Sequence, residues 1–291
     1  MNKTLTLSLT GLLSLSPLLA ESPYIPSAKT PLISSSRSLE ARILPHAKIW
    51  QLQHVPKLYQ PTTVYIIAQE HFQKGLSLEG KEIPYIESHL AQVQAQIYKT
   101  LEILVSLNHI RLIIGEGLPP GVYDPFANIT PDQRKIFLLE KQEHLYDLTQ
   151  INYLTKVFKL NPLTLSYQFF SQNNPGVMVY GINDASLLTK GFSLDREFLD
   201  FARKGELDKR SQKRMQEISQ ETSRLNKQRS EQAVLEGFSI ANQLFKSRKI
   251  IKKDHIHVIG LGHVNEMARV YEKIECNVVL IIPLACKYLY E

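Results

Sequence analysis

The sequence is poor in cysteine and has no long apolar run beyond its first 20 residues. Its two cysteines, Cys276 and Cys286, flank the strand-like run NVVLIIP. An extended run of this length holds its ends farther apart than the roughly 5.5 Å Cα separation of a disulfide, so we expect no intrachain disulfide unless the C-terminus folds back. After residue 20, no run of the sequence approaches the roughly 20 consecutive apolar residues of a membrane-spanning helix. We therefore expect no transmembrane segment in residues 21–291.

Basic residues exceed acidic ones, with 34 Lys and Arg against 28 Asp and Glu and a net charge of +6. Such a balance can attract nucleic acid or an anionic membrane surface. Much of the excess lies in residues 203–229, where acidic side chains are interspersed, and in residues 246–254, beside a predicted strand. Since no aromatic residues alternate with these charges to stack on bases, the sequence favours a solvated helix face, and we expect no nucleic-acid partner.

The N-terminal segment has the pattern of a secretory signal. Lys3 is followed by an uncharged run rich in Leu, Thr and Ser, which ends at Ala20 before an acidic, polar stretch. This pattern predicts a signal peptide over residues 1–20, cleavage near Ala20, and export to the periplasm or out of the cell, with a frayed amphipathic helix as the alternative. Residues 21–45 are rich in Pro and Ser and predict an extended lead-in.

Beyond the lead-in, short apolar runs alternate with helical patterns. Apolar residues at steps of three and four predict a long amphipathic helix from Ile86 to Leu107, and residues 194–247 predict a charged helical arm with a break near Gly205. Strands that are apolar on both sides predict a single α/β domain over residues 46–291, with a mostly parallel central sheet covered by helices on both faces. The predicted strands are KIWQLQHV, which we place at an edge, TTVYIIA, HIRLIIGEG, GVMVYGIND, HIHVIGLGH and NVVLIIP.

Four of these runs end in titratable or hydrogen-bonding residues. In a parallel sheet the ligand site lies outside the carboxyl ends of the strands, so residues at these ends are the candidates for a site. Adjacent strand residues point to opposite faces, so we expect His71 to face the cleft and Glu70 to cap or pair nearby. The residues in question are Gln69, Glu70 and His71 after VYIIA, Glu116 after RLIIG, Asn183 and Asp184 after VMVYGI, and His263 and Asn265 after HVIGLG.

Two further features of the sequence bear on a site. His255 and His257 share one face of their strand and resemble a metal-binding pair, but they lie at the start of the strand, so we expect a structural or surface role.

Arg229 lies on the apolar stripe of its helix. An inward arginine needs a carboxylate or an anion as partner, and a bidentate contact would orient a carboxylate or bind a substrate anion. The alternative is an arginine that extends from the helix edge to solvent.

The order of these motifs resembles a known superfamily. QEH after a strand, IIGEG, VYGIND, QRSEQAVLEG on a helix and VIGLGH follow one another as in the erythromycin-esterase, ChaN and TraB-like superfamily, over roughly residues 60–285. The resemblance implies an α/β fold with a cleft at the strand ends. It also implies the residues that line the cleft, which in this sequence are His71, Glu116, Arg229 and His263, with Glu70 and Asp184 as accessory acids.

The superfamily does not share one activity. Its members include metal-independent ester hydrolases, metal-dependent proteases and a haem-binding exported protein. This sequence also departs from the esterases, since Ala68 and Gln69 stand where a glycine usually precedes the acid of the first strand. The resemblance therefore implies the fold and the cleft more directly than it implies hydrolysis.

The residues themselves favour direct attack of water on an ester or amide, in a small-molecule or peptide substrate. The sequence has no G-x-S-x-G motif, and both cysteines lie at the chain end, so no nucleophile motif is present. In this scheme His71, beside Glu116, acts as the general base, and His263 acts as the acid or stabilises the oxyanion.

Three alternatives to this scheme remain open. His71, Glu116 and His263 form a set that can hold a divalent metal such as Zn²⁺, Mn²⁺ or Fe²⁺. The cleft can also belong to an exported protein that binds haem or another small molecule, although the loop PPGVYDPF offers haem only Tyr123 and Phe126. In the third alternative the chain is a catalytically silent scaffold, and its strand-end histidines are satisfied polar residues.

Overall fold

The computed structural model describes residues 37–55, 61–70, 88–116, 118, 120–124, 165–182, 185–203 and 208–286. The predicted signal peptide and the first part of the lead-in lie outside these residues. The strands are β1 (Ala47–Gln53), β2 (Thr63–Gln69), β3 (Leu112–Gly115), β4 (Gly121–Val122), β5 (Met178–Gly181), β6 (His255–Gly260) and β7 (Asn277–Pro283). The helices are α1 (Arg37–Ile43), α2 (Ser88–Asn108), α3 (Leu165–Asn173), α4 (Ala185–Arg203), α5 (Lys209–Lys246) and α6 (Val264–Tyr271).

The strands form one mixed sheet in the order β1-β7-β2-β6-β3-β5-β4. The inner strands β7, β2, β6, β3 and β5 pair in parallel, whereas β1 and β4 pair antiparallel with β7 and β5 at the two edges. The predicted α/β class is confirmed. The prediction of a mostly parallel sheet is wrong, because the sheet is mixed. An apolar run indicates that a strand is buried, but it does not indicate whether the strand pairs parallel or antiparallel with its neighbours.

The middle of the sheet contains two almost completely buried strands, β2 and β6. Every residue of β6 is buried, and so is every residue of β2 after Thr63. Both strands have a hydrogen-bonded neighbour on each side. A strand between two neighbours buries most of its side chains, and here that burial includes the polar residues His255 and His257 of β6.

Helix α2 has the amphipathic pattern that the sequence predicts. Val93, Ile97, Leu101 and Leu104 are completely buried, at steps of three and four residues. The helix ends at Asn108, whose side-chain amide donates to the Tyr65 hydroxyl of β2 at 2.7 Å. The stripe and this terminal bond fix the helix against the sheet.

Helix α1 corrects the prediction of an extended lead-in over residues 21–45. Residues 37–43 are helical, and Leu39 and Ile43, one turn apart, are buried in the core. No proline occurs between Pro31 and Pro45, and the helical sequence, RSLEARI, is made largely of good helix formers. The prolines and serines in the rest of the lead-in dominate its composition, so the composition does not indicate this short amphipathic helix.

The charged helical region consists of α4 and α5. Its helical part begins at Ala185, nine residues before the predicted start at residue 194, and the predicted break near Gly205 lies outside the described residues. Asp208 caps α5, accepting the Ser211 N–H at 2.7 Å. Leu194, Ile218 and Leu225 form a small apolar cluster between the two helices. Although α5 has 38 residues, neither it nor any other helix in the described ranges has the length and apolarity needed to cross a membrane.

Gly237 lets α5 pack closely against β6. A Cβ atom at this position would lie 2.6 Å from His257 Nε2 and 3.4 Å from His255 Nε2. By contrast, a Cβ atom at Gly191 of α4 would meet nothing within 4 Å. The two helical glycines therefore form a matched pair, one required by close packing and one not.

We expect Gly237→Ala to lower the free energy of unfolding by about 1–3 kcal/mol, because the methyl group overpacks the interface with β6. Gly191→Ala should raise the free energy of unfolding by up to about 1 kcal/mol, because alanine is the better helix former. Urea denaturation of both variants measures the difference. If both variants gained the same stability, α5 would not depend on the close approach at Gly237.

Candidate active site

The candidate active site lies where β3 and β6 end. Glu116 follows β3 directly, and a 3₁₀ turn, Leu261–His263, follows β6. Because β3 and β6 are parallel neighbours, their carboxyl ends bring Glu116 and His263 to the same edge of the sheet. A third residue, Arg229, comes from α5, which contacts both β6 and the 3₁₀ turn.

Glu116 is a buried carboxylate, and both of its oxygens accept hydrogen bonds. Nη2 of Arg229 donates to Oε1 at 2.6 Å, and the backbone N–H of Gly260 donates to Oε2 at 2.7 Å. The backbone of Glu116 is also fixed, since its N–H donates to the Val258 carbonyl at 3.0 Å and its carbonyl accepts from the Tyr167 hydroxyl. These contacts hold the carboxylate in one position between the strand ends and α5.

The imidazole of His263 lies between Glu116 and Ser230. Its Nε2 is 3.4 Å from Oε1 of Glu116, and its Nδ1 is 2.9 Å from Oγ of Ser230. Ser230 is completely buried, and its hydroxyl also donates to the Asn226 carbonyl at 2.8 Å. A serine buried in this way has no access to a substrate, so its role in the site is not that of a nucleophile.

Gly115 makes room for the tyrosine that holds the Glu116 backbone. A Cβ atom at Gly115 would lie 2.9 Å from Cε2 of Tyr167. With glycine there, the ring passes close to the strand and its hydroxyl reaches the Glu116 carbonyl. Burial, together with the charge of Glu116, raises the pKa of Tyr167 well above its usual value, so the phenol remains a protonated donor.

The helical period of α5 places Arg229 in the site. Leu225, Ala233 and Gly237, spaced four residues apart on either side of it, are all buried. Arg229 lies on the same stripe, and its side chain is 22% exposed compared with 7% for that of Glu116. The guanidinium therefore contacts the carboxylate and also reaches the more open part of the site.

A small cavity adjoins these groups. Its volume is about 10 Å³, which is about the room that one water molecule needs. Sites for cofactors and drug-sized ligands usually enclose about 300–1,000 Å³, so this cavity alone is far too small for a cofactor or for a whole substrate. Its lining residues are Glu116, Ile182, Arg229, Gln232, Ala233, Ile259 and His263.

The structure brings together three of the predicted site residues, Glu116, Arg229 and His263. Glu70 is buried at the end of β2 beside Cys286, where burial and the charge of Glu70 raise the pKa of that thiol to about 12. His71 and Asp184 lie outside the described residues, so their places in the cleft remain predictions.

The pair His255 and His257 is completely buried in the first half of β6. The His255 ring stacks edge-on against Phe238, and the His257 ring packs against His255 and Tyr271. Cys276 and Cys286 are also buried, and both are free thiols. These polar residues therefore belong to the core.

Glu116 and His263 fit a divalent metal poorly. Both oxygens of Glu116 already accept hydrogen bonds, and the guanidinium of Arg229 places a positive charge 2.6 Å from Oε1. Within the part of the chain that the structure describes, no group of three or more His, Cys, Asp and Glu side chains is arranged to hold a metal ion. The third predicted ligand, His71, lies outside that part. The chemistry of this donor set favours a site that works without a metal.

Several groups that build the site were missed by sequence reasoning. The Gly260 N–H is a backbone donor and leaves no side-chain signal. Ser230 lies one residue after Arg229, and the four-residue spacing back to Asn226 was a weak indication that its hydroxyl bonds to the helix backbone. Tyr167 gave no signal at all, since it lies on a helix 51 residues from the residue it holds.

Comparisons with protein-family models, with curated proteins and with solved structures find no match to this chain. The functional assignment therefore depends on the geometry and chemistry of the residues at the ends of β3 and β6.

Proposed function

We propose that this chain is an exported hydrolase that adds water to an ester or amide of a small molecule or peptide. The observation that carries the proposal is the contact of one buried carboxylate, Glu116, with both a guanidinium and an imidazole beside a small cavity. Converging acid, base and cation groups at strand ends are the usual components of a catalytic site. The motif order that resembles the erythromycin-esterase, ChaN and TraB-like superfamily supports the position of the cleft at the strand ends.

In this proposal Arg229 stabilises the charge that develops on the substrate. One of its five N–H donors is used by Glu116, and its partial exposure leaves others for a substrate carbonyl oxygen. As water attacks, that oxygen becomes negative, and a fixed cation beside it lowers the barrier. Glu116 then has a positioning role, because it holds both the guanidinium and the imidazole of His263.

The reaction needs two proton transfers. The oxygen of water bonds to the carbonyl carbon while one proton of that water passes to His71, the predicted general base. The carbonyl re-forms as the C–O or C–N bond breaks, and His263 protonates the leaving alcohol or amine from Nε2. The products are a carboxylic acid and an alcohol or amine, and exchange with solvent restores both imidazoles.

This scheme is metal-free and has no haem. The arginine bonded to Glu116 disfavours a cation there. Export is proposed from the predicted signal peptide. The prediction that helices cover both faces of the sheet is also kept as part of this proposal.

The proposal is tested by a screen of chromogenic esters and peptide anilides with the full chain, beside His263→Gln and the exposed-residue control His54→Gln. We expect the wild type and the control to hydrolyse at least one substrate, and His263→Gln to be slower by about 10²–10⁴-fold, the usual contribution of one acid or base. Intact-mass measurement of the same sample tests export, since cleavage after Ala20 leaves a chain that begins at Glu21.

Two further measurements separate the alternatives. A chelator should leave the rate unchanged, and elemental analysis with an optical spectrum should give neither stoichiometric metal nor a Soret band. Stoichiometric metal that is lost together with activity would replace this scheme with a metal-assisted one. Absence of turnover on every substrate class would favour the silent scaffold.

A further inference from the structure

Ser230 has two polar contacts that together determine where protons lie in the site. Its hydroxyl is 2.8 Å from the Asn226 carbonyl oxygen and 2.9 Å from Nδ1 of His263. All of this lies inside the protein, since Ser230 is completely buried and His263 is 5% exposed. In a buried chain of this kind, the donors and acceptors within hydrogen-bond distance determine where the protons lie.

The hydroxyl has one proton to give, and the carbonyl oxygen has none. If the hydroxyl donated to Nδ1, two acceptor oxygens would face each other at 2.8 Å. If it donates to the Asn226 carbonyl instead, its own lone pair is left to accept a proton from Nδ1, and both contacts become hydrogen bonds. We propose that Ser230 is a positioning residue that keeps neutral His263 in the tautomer with its proton on Nδ1.

This tautomer determines which nitrogen exchanges protons. With Nδ1–H bonded to Ser230, the nitrogen that gains and loses a proton is Nε2, which lies 3.4 Å from Oε1 of Glu116. A proton on Nε2 lies within ion-pair distance of the Glu116 carboxylate. When the ring is neutral, the Nε2 lone pair is the one available to take up a proton again.

The catalytic meaning of this tautomer rests on the proposed function, in which His263 protonates the leaving group from Nε2. The tautomer itself does not depend on a substrate. It follows from Ser230, its Asn226 acceptor and the position of the imidazole, and it is therefore measurable in the protein alone.

The test is ¹⁵N NMR of the imidazole rings in the full chain, recorded from pH 5 to 10. The chain has nine histidines, and the His263 signals are identified by their loss in His263→Gln. His255 is an internal control, because its Nδ1 lies 3.0 Å from the Lys253 carbonyl, which only accepts, so its neutral ring must also have its proton on Nδ1.

In the wild type we expect neutral His263 to show a protonated Nδ1 and a bare Nε2. In Ser230→Ala, Nδ1 loses its acceptor, and the proton should move to Nε2, where Glu116 accepts it. Ser230→Thr, which keeps a hydroxyl, should restore the wild-type pattern. His255 should remain Nδ1–H in every variant, because its contact with the Lys253 carbonyl does not involve Ser230.

The wild-type spectrum shows which nitrogen of neutral His263 holds the proton, so the proposal is tested even if a Ser230 variant fails to fold. A neutral His263 protonated on Nε2, or a ring charged over the whole pH range, would overturn the proposal, and so would an unchanged tautomer in a folded Ser230→Ala. Failure of the proposed function is distinguishable, because it leaves the Nδ1–H pattern in place while the substrate screen shows no turnover.

Discussion

Replacing Glu116 with alanine is expected to lower the free energy of unfolding by about 3–5 kcal/mol, because the change leaves a partly buried guanidinium without its counter-ion. The Gly260 N–H also loses the oxygen to which it donates. An unsatisfied buried donor adds to the cost of an unpaired charge. Urea denaturation of the wild type and Glu116→Ala at neutral pH measures this loss. The dependence of the unfolding free energy on urea concentration should be the same in both proteins.

The Glu197–Arg214 pair is the matched control. Its two hydrogen bonds of 2.7 Å resemble the short Glu116–Arg229 contact, but it lies on the exposed surface between α4 and α5. Glu197→Ala should therefore cost far less than Glu116→Ala, since exposed ion pairs contribute little. The double change Glu116→Leu with Arg229→Met should recover part of the loss. Equal effects of Glu116→Ala and Glu197→Ala would contradict a buried, structurally required carboxylate.

Acid should destabilise the protein through His255 and His257. Burial lowers the pKa of His255 from 6.5 to about 4, and burial with the neighbouring His255 lowers the pKa of His257 well below its usual value. Among the described residues, neither ring nitrogen of His257 has a hydrogen-bond partner. Since a proton added to either ring meets no counter-charge there, the folded state keeps both rings neutral.

The sign of the effect follows from proton uptake on unfolding. The unfolded chain protonates these rings below about pH 6.5, and the folded protein does not, so acid favours the unfolded state. The stabilisation is complete above pH 6.5 and declines as the pH falls toward 4, where His255 itself becomes protonated. His255 alone should account for a loss of about 3 kcal/mol across this interval, with a further loss from His257.

Leucine variants isolate this contribution from that of the carboxylates, which titrate in the same range. The decline in unfolding free energy between pH 6.5 and pH 4 should be smaller by about 3 kcal/mol in His255→Leu than in the wild type. His257→Leu should also flatten the profile. The exposed His54→Leu should leave it unchanged. Profiles of the same steepness in all four proteins would mean that the buried rings do not titrate in this way.

The parts of the fold that could be predicted are those with a strong local period. The buried stripe of α2 and the apolar run of β2 can be read directly from the sequence. Strand β4, Gly121–Val122, was missed because two residues are too short to show a period. The antiparallel direction of β1 was missed because its pairing with β7 joins residues 47–53 to residues 278–283, a contact without a local signal.

Within the site, the residue types could be predicted but their bonding could not. Charged residues at strand ends and an arginine on an apolar stripe identified Glu116, His263 and Arg229. The partner of Arg229 lies 113 residues away, and only the folded sheet brings the two together. The Gly260 N–H and the Ser230 hydroxyl depend on backbone position, which the composition of a motif does not encode.

A site in which Glu116 and His263 act together is tested most directly by kcat/KM on one ester substrate. The proteins to compare are wild type, Glu116→Gln, His263→Gln and the double variant. Residues that work as a unit lose most of the catalysis when either is removed, so the double variant should be about as slow as the slower single variant. Losses that multiply in the double variant, or single variants as fast as wild type, would contradict the proposed site.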